Sequence, residues 1–246
     1  MKLNILFPVL NEHLRLERGI RRTASFLQKH CDIPWQLTIV DNGSDDDTPE
    51  IAKALAREYE QVVCERLEER GVGIAFRHGV EHNDADIVGY MDIDLSTDLR
   101  HLIRVIRLFE THPELDYINA SRFSKKSKTT GRKWYRNITS AGLLVLLKTV
   151  LGLRATDAIC GFTFLRKEKA QQLVKECHPD NGWFYMIEFL LRAERSGMRI
   201  YDMPVRWRED YDTTVKIGKT IRNYLKNIVR LKKAFLTEDR AHVKAH

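Results

Sequence analysis

Two aspartates, two positions apart, close an apolar run in this chain: Ile87-Val88-Gly89-Tyr90-Met91 leads directly into Asp92-Ile93-Asp94-Leu95-Ser96. The run is short and rich in β-formers, the pattern of a central parallel strand, and ligands of such sheets sit beyond the carboxyl ends of the strands. In extended backbone, positions i and i+2 point the same way. Asp92 and Asp94 can therefore converge on one divalent cation while Ile93 turns into the core, and that cation would bridge a pyrophosphate. A solvated loop carrying two carboxylates is the plain alternative. A leaving pyrophosphate gathers negative charge as its bond breaks, and a divalent ion with arginines stabilises charge of that kind where it develops. Arg122 and Arg136 are the candidate clamps, because a guanidinium grips phosphate oxygens bidentately; a solvated basic loop is the alternative for both.

The charge distribution points to a polyanionic partner. Formal net charge is +7, and it is uneven: Arg122 to Arg136 carries seven cations and no acid, while Arg206 to the end has 11 Lys and Arg against 5 Asp and Glu. A nucleotide, a phosphorylated acceptor, an anionic membrane or a nucleic acid would suit such clusters, as would a merely solvated face. At 246 residues and 43% hydrophobic side chains the chain is long enough for one sizeable α/β core or two small domains. No stretch approaches the roughly 20 apolar residues of a membrane span. The first residues lack the shape of a signal peptide, so the first strand is expected to begin at once, in the cytoplasm. Cys31, Cys64, Cys160 and Cys177 show no Cys-x-x-Cys spacing and are expected to be buried reduced thiols.

The elements that must position these residues alternate. Leu3–Val9 reads as a strand, and residues 11–30 carry helical periodicity through Leu14, Ile20, Ala24 and Leu27. A second strand, 35–40, runs into Asp41-Asn42-Gly43-Ser44-Asp45-Asp46-Asp47-Thr48-Pro49 and a helix over 50–59, with Thr48 as its cap and Pro49 in its first turn. That loop holds more carboxylates than capping requires, and Asp41 could accept hydrogen bonds from a base or ribose. A third strand, 61–67, leads to Gly71-Val72-Gly73 and a helix ending at Glu81. The glycine pair alone is a weak nucleotide signal. Strand and helix in repeated alternation predict a mostly parallel α/β sheet with helices on both faces. His78-Gly79-Val80-Glu81-His82 fits the H-x-x-E-H zinc-peptidase pattern, although Gly79 weakens the helix and exposed helix ends commonly carry such residues.

Taken together the motifs resemble the family 2 glycosyltransferases, and more narrowly the polyprenyl-phosphate sugar synthases of the dolichyl-phosphate mannose synthase type. Pro8-Val9-Leu10-Asn11-Glu12 looks like the opening P-x-x-N-E, Asp41-Asn42-Gly43-Ser44 like D-[DN]-G-S, and Asp92-Ile93-Asp94 like D-x-D. Ala120-Ser121-Arg122-Phe123 resembles G-[ST]-R-[YF], Arg136 and Ser140 the following R-x-x-x-S, and Asp157 with Gly161-Phe162 the D-x-x-x-G-F segment. Glu188 and the Met203-Pro204-Val205 strand also fit. The ordered set covers about residues 3–216 and is specific where no single motif is. The resemblance implies a single GT-A-like domain over residues 1–212, followed by a basic amphipathic helix and polar tail over 213–246. It further implies a nucleotide-sugar donor, a Mg²⁺ or Mn²⁺ ion, and inversion at the transferred sugar. Pro8, Val9, Asn11, Glu12, Asp41 and Ser44 would line the nucleoside pocket. Asp92 would face the donor's sugar and phosphates, and Asp94 would hold the metal. Arg122, Arg136, Ser140, Arg208 and Lys216 would meet the acceptor or its phosphate. Ser96 stands where some members carry a glutamine, and Val72 where a lysine is common.

The acceptor decides whether a base is needed. A sugar hydroxyl must lose a proton to attack, so a carboxylate would have to stand within about 3 Å of it. Asp157 and Glu188 are the candidates, unless each simply pairs with an arginine. A lipid phosphate is already ionised, and the acid-free run 121–148 suits it better than a neutral hydroxyl. Residues 138–153 form an apolar helix too short to span a bilayer, which could lie beside a lipid tail or in the core. Near the C-terminus Ile217, Ile221, Tyr224, Leu225, Ile228, Leu231 and Phe235 share one helix face, and Lys219, Arg222, Lys226, Arg230 and Lys233 the other. That helix would either lie in an anionic interface or dock on its own domain. The expectation is a transferase moving sugar to polyprenyl (dolichyl or undecaprenyl) phosphate. It would be peripheral at the cytoplasmic membrane face, with a membrane-embedded partner subunit among the partners such a protein could have. A transferase acting on a saccharide hydroxyl is the alternative. A nucleic-acid binding module is a remote one, since no interleaved aromatic platform accompanies the basic clusters, and no nucleic acid is expected.

Overall fold

The computed structural model describes residues 1–209 and 217–244, with side chains of the last helix described from Arg222 to Ala241. In chain order the elements are β1 (Leu3–Val9), α1 (Leu16–His30), β2 (Trp35–Asn42), α2 (Thr48–Glu58), β3 (Val62–Leu67), α3 (Val72–Glu81), β4 (Ile87–Met91) and α4 (Arg100–Thr111). Then follow β5 (Tyr117–Ser121), β6 (Lys128–Thr130), α5 (Trp134–Leu151), β7 (Phe162–Arg166), α6 (Lys167–Glu176), α7 (Phe184–Arg195), β8 (Ile200–Pro204), β9 (Arg206–Arg208) and α8 (Ile217–Lys244).

Seven strands form one sheet in the order β3-β2-β1-β4-β7-β5-β8. Only β7 runs against its neighbours β4 and β5; the other pairings are parallel. Buried on both sides, the strands split their side chains between two cores by the two-residue period of the pleat. From β1, Leu3, Ile5, Phe7 and Val9 join the core beneath α1, α2 and α4, and Leu6 points to the opposite core. From β4, Val88 and Tyr90 enter that opposite core, which α3, α5, α6, α7 and α8 cover. This is the mixed, mostly parallel α/β sheet expected from the alternation. A small parallel pair, β6 with β9, lies outside it and touches the segment that follows β4 through a bridge between Thr97 and Trp207.

Several local expectations are corrected. The first helix begins at Leu16, not at residue 11. Asn11 takes a left-handed conformation at φ +57°, and Leu14, expected on the buried stripe, is 81% exposed. Thr48 does not cap α2: the helix starts at Thr48 itself, and the Thr48 hydroxyl instead accepts the Glu12 amide at 2.8 Å. The C-terminal helix docks. Ile228, Leu231 and Phe235 are buried among residues of α5 and α7, and the Tyr224 ring meets Phe184 at 5.8 Å. The apolar face expected to meet a membrane is therefore largely used inside the protein, leaving Leu225, Val229 and Leu236 exposed. Ile217, Lys219 and Ile221 lie where side chains are not described, and the boundary at 212/213 lies outside the described residues. Among the described residues no helix is long and apolar enough to cross a membrane.

Candidate active site

The two aspartates lie where β4 ends. The chain leaves the sheet at Asp92 and turns at once: the Leu95 amide closes on the Asp92 carbonyl at 3.3 Å, with Leu95 itself left-handed at φ +56°. A leucine held there costs free energy that the surrounding structure has to outweigh, and such residues cluster at functional sites. The expected extended geometry is thus replaced by a tight turn, although Ile93 does enter the core at 5% exposure. Ser96 fixes Asp94, its amide donating to Oδ1 and its hydroxyl to Oδ2, both at 2.8 Å. The Tyr90 hydroxyl donates to Asp92 Oδ1 at 2.6 Å. Burial, and then the charge of Asp94, push the Asp92 carboxyl up to about 7. Across the turn, Gly161 makes room for it. The Gly161 carbonyl accepts the Asp92 amide at 3.1 Å, and a Cβ on residue 161 would lie 1.9 Å from Asp92 Oδ2. Two carboxylates two positions apart at a strand end fit a divalent cation, whose charge would offset the burial and the neighbouring charge that raise Asp92.

At the ends of β1 and β2 a second group assembles. Parallel register sets Pro8 beside Val40 and Val9 beside Asp41. Asp41 is fully buried; Oδ1 accepts the Ser44 amide at 3.0 Å, while Oδ2 has no hydrogen-bond partner among the described residues, the nearest cation being Arg66 Nη1 at 3.4 Å. The Asn11 amide donates to the Ser44 hydroxyl at 2.9 Å, and the Asn11 side chain bonds Asp45 twice, donating at 2.7 Å and accepting at 3.0 Å. Asn42 donates to the Val9 carbonyl at 2.7 Å and accepts the Gly71 amide at 2.9 Å, joining the third crossover to the same rim. Glu12 is engaged by Arg15 at 3.1 Å. All six residues expected at a nucleoside pocket thus meet at one rim, with one buried acceptor oxygen, Asp41 Oδ2, left over.

The cationic side departs further from expectation. Arg122 is 7% exposed and locked to the buried Asp157: Nε donates to Oδ2 at 2.7 Å, Nη2 to Oδ1 at 2.9 Å, and its backbone amide to Oδ2 at 3.0 Å. Neither is a free clamp or a free base. Arg136 pairs with Glu209, and Ser140 is buried, its hydroxyl bonded to Arg132 Nη2 at 2.6 Å. Arg208 has its side chain exposed, but its amide donates to the Ser96 carbonyl at 2.8 Å, so β9 is stitched to the aspartate turn. Lys216 lies outside the described residues. Glu188 is not at this site. It is fully buried on α7, paired with Arg192 at 3.0 Å and with Arg230 of α8, and it accepts the His178 amide at 3.1 Å. Met186 and Leu190 of the same helix line a cavity with Tyr90, Asn119, Cys160 and Gly161; Glu188, two positions along, points away from it.

One residue escaped the sequence reading. Arg132 sits between the rings of Phe123 at 5.4 Å and Trp207 at 5.6 Å, and its buried Nε and Nη1 have no hydrogen-bond partner among the described residues. Burial, and then the neighbouring Arg122, pull its guanidinium down to about 10. Nothing in the sequence separates it from the six other cations of its run; only the pairing of its neighbours leaves it conspicuous.

With that geometry in view, likeness to known proteins is informative. The sequence model described as Glycosyl transferase family 2 matches residues 4–174. Glycosyltransferase AglD of Haloferax volcanii is 29% identical over 232 residues, covering 94% of this chain but 37% of that protein, so the chain spans well under half of that relative. Dolichyl-phosphate beta-glucosyltransferase ALG5A of Trichomonas vaginalis is 29% identical over 231 residues, 89% of this chain and 70% of that one. In fold, the chain is similar to glucosyl-3-phosphoglycerate synthase of Mycobacterium tuberculosis, crystallised with Mn²⁺, uridine-diphosphate-glucose and phosphoglyceric acid. The TM-score is 0.72 at 18% identity, covering 94% of this chain and 80% of the other.

Proposed function

The chain belongs to glycosyl transferase family 2, and from that premise we propose that it moves a sugar from a nucleotide-sugar donor to a polyprenyl phosphate, with inversion at the sugar carbon. One observation carries the choice of acceptor: both candidate bases, Asp157 and Glu188, are consumed by arginines, whereas Arg132 keeps two buried guanidinium nitrogens without hydrogen-bond partners among the described residues. With both of those carboxylates held by arginines, and Arg132 beside Arg122, the site suits a nucleophile that is already an anion.

In this reading Asp41 Oδ2 accepts a hydrogen bond from the donor's base or ribose, and the rim from Pro8 to Ser44 holds the nucleoside. Asp92 and Asp94 would hold a Mg²⁺ or Mn²⁺ ion, whose charge would stabilise the leaving nucleoside diphosphate. Ser96 keeps Asp94 oriented, and Arg122, itself held rigid by Asp157, adds fixed positive potential beside Asp92. The acceptor phosphate oxygen, received by Arg132 with Arg136 and Ser140 around it, attacks C1 from the face opposite the leaving group. One C–O bond forms and one breaks, the electron pair departs on the diphosphate, and no proton has to be removed from the nucleophile.

Support for a membrane-facing acceptor comes from α5. Trp134 is 73%, Ile138 62% and Val145 60% exposed, and Lys125, Lys126, Lys128 and Lys133 precede or flank that apolar surface. Apolar side chains beside cations suit peripheral attachment to an anionic, cytoplasmic membrane face. The test is transfer by the full chain, from a panel of uridine and guanosine diphosphate sugars with Mn²⁺, to a short-chain polyprenyl phosphate or to oligosaccharide acceptors. Product is expected on the lipid phosphate alone and none in excess chelator. Transfer to a saccharide hydroxyl, with the lipid phosphate untouched, would replace this reading with the saccharide one.

A further inference from the structure

Away from that site, the His78-Gly79-Val80-Glu81-His82 motif acquires an unexpected partner. His78 and His82 lie one turn apart at the end of α3, but the carboxylate that joins them is not Glu81 of the motif. It is Glu65 on β3, the edge strand of the sheet. One ligand atom from each of Glu65, His78 and His82 lies within 4.8 Å of the other two. We propose that these three side chains form a binding site for a transition-metal ion of the Zn²⁺ class, clamping the end of α3 to the edge strand.

Three features point to a metal beyond a plain ion pair. His78 Nε2 stands 2.6 Å from Glu65 Oε2, and that oxygen is buried with no other hydrogen-bond partner among the described residues. A carboxylate oxygen cut off from water in this way is left dependent on one imidazole proton. Second, His82 takes no part in the Glu65 pair, yet its ring lies against His78 with centroids 4.1 Å apart. Third, His82 Nδ1 is 2.9 Å from the His78 carbonyl. A carbonyl can only accept, so the proton is on Nδ1 and the lone pair of Nε2 is left for a ligand. Metal-bound histidines are held in this way, the non-ligating nitrogen donating to a backbone carbonyl.

The donor set selects the ion. Two imidazoles and one carboxylate suit Zn²⁺, with water in the fourth position, and do not suit Mg²⁺, which asks for an octahedron of oxygens. Tetrahedral bonds of zinc length bring ligand atoms to roughly 3.3 Å from one another, so the His78–Glu65 pair, at 2.6 Å, has to open slightly while His82 settles to the same spacing. Exposed His82 can supply that movement by side-chain rotation. Glu81, the carboxylate of the peptidase pattern, is exposed outside the cluster, so the role is bracing and not peptide hydrolysis. What is braced matters to the donor rim. Arg66, next to Glu65, reaches the Ser44 carbonyl at 3.2 Å and stands beside Asp41.

The experiment uses tag-free full-length protein, stripped with chelator and titrated with Co²⁺ and then Zn²⁺ in millimolar Mg²⁺, which occupies the aspartate site. One equivalent of Co²⁺ should develop the strong visible absorption of tetrahedral nitrogen ligation, Zn²⁺ should bleach it, and the melting temperature should rise with Zn²⁺. His82→Ala and, independently, Glu65→Gln should each weaken Zn²⁺ by about 100-fold or more, since losing a ligand costs at least what losing an outer partner does. The metal-free melting point of His82→Ala should match that of the parent, because the side chain is exposed. No uptake by the parent, or an isotherm and spectrum unchanged in both variants, would overturn the assignment. Neither result bears on the transferase reading, whose residues are elsewhere.

Discussion

Replacing Gly161 by alanine probes the aspartate turn with a single carbon atom. A Cβ built there lies 1.9 Å from Asp92 Oδ2, 2.1 Å from Cγ and 2.5 Å from Oδ1. Ordinary contact begins near 3.4 Å, so the carboxylate has to retreat by about 1.5 Å or lose its rotamer. The backbone cannot give way cheaply, because the Gly161 carbonyl holds the Asp92 amide and Leu95 is already left-handed. Crowding of this kind costs about 1 to 3 kcal/mol of stability. Activity should suffer more: a displacement of about 1 Å in a positioning group is worth about 10²-fold, or 2.7 kcal/mol of barrier. The assay is sugar transfer at saturating donor and Mn²⁺, with thermal melting on the same samples. Gly142→Ala in α5 is the control, since a Cβ there meets nothing within 4 Å and alanine improves helix propensity by up to about 1 kcal/mol. A Gly161→Ala protein that melts normally and transfers sugar at the parental rate would refute the proposed role of Asp92.

Three further outcomes follow from the pairing of charges and the exposed surface. Arg132→Ala should raise the KM for a phosphate-bearing acceptor by about 10-fold or more, one charge-assisted contact being worth 1.5 to 3 kcal/mol, with donor KM and melting temperature little changed; a normal acceptor KM would remove Arg132 from the acceptor site. Arg230→Ala should lower stability by roughly 1.5 to 3 kcal/mol without altering the chemistry at saturating substrate, because Glu188 keeps Arg192 but loses its link to α8; an unchanged denaturant midpoint would mean that α8 is not held there. Trp134→Ser with Ile138→Ser should weaken flotation with anionic vesicles while leaving the melting temperature within about 1 °C, since both side chains are exposed; undiminished flotation would assign membrane contact to another surface.

The first four strands, the helices between them and the position of the aspartate pair were legible in the sequence because each rests on local geometry. Alternation across a pleat and the 3.6-residue turn are set by neighbouring residues. Thus β1 and β4 fall within their expected bounds, and Asp92 and Asp94 stand at the expected strand end. That the loops after β1 and β2 share one rim was legible for the same reason, since parallel strands side by side bring their carboxyl ends together wherever their loops begin. What the sequence could not carry was the partner of each charge. Arg122 meets Asp157 across 35 positions, Glu188 meets Arg230 across 42, and Glu65 meets His78 across a crossover, so two candidate bases became paired carboxylates and the histidine motif gained a carboxylate from outside it. The amphipathic stripe of α8 was read correctly as apolar, but periodicity measures only that a face is apolar and not what it faces. Docking against α5 and α7 decided that, leaving Leu225, Val229 and Leu236 of α8 exposed beside the exposed Trp134, Ile138 and Val145 of α5. Local backbone geometry is encoded over a few residues, whereas burial and charge pairing depend on distances that exist only after the sheet has assembled.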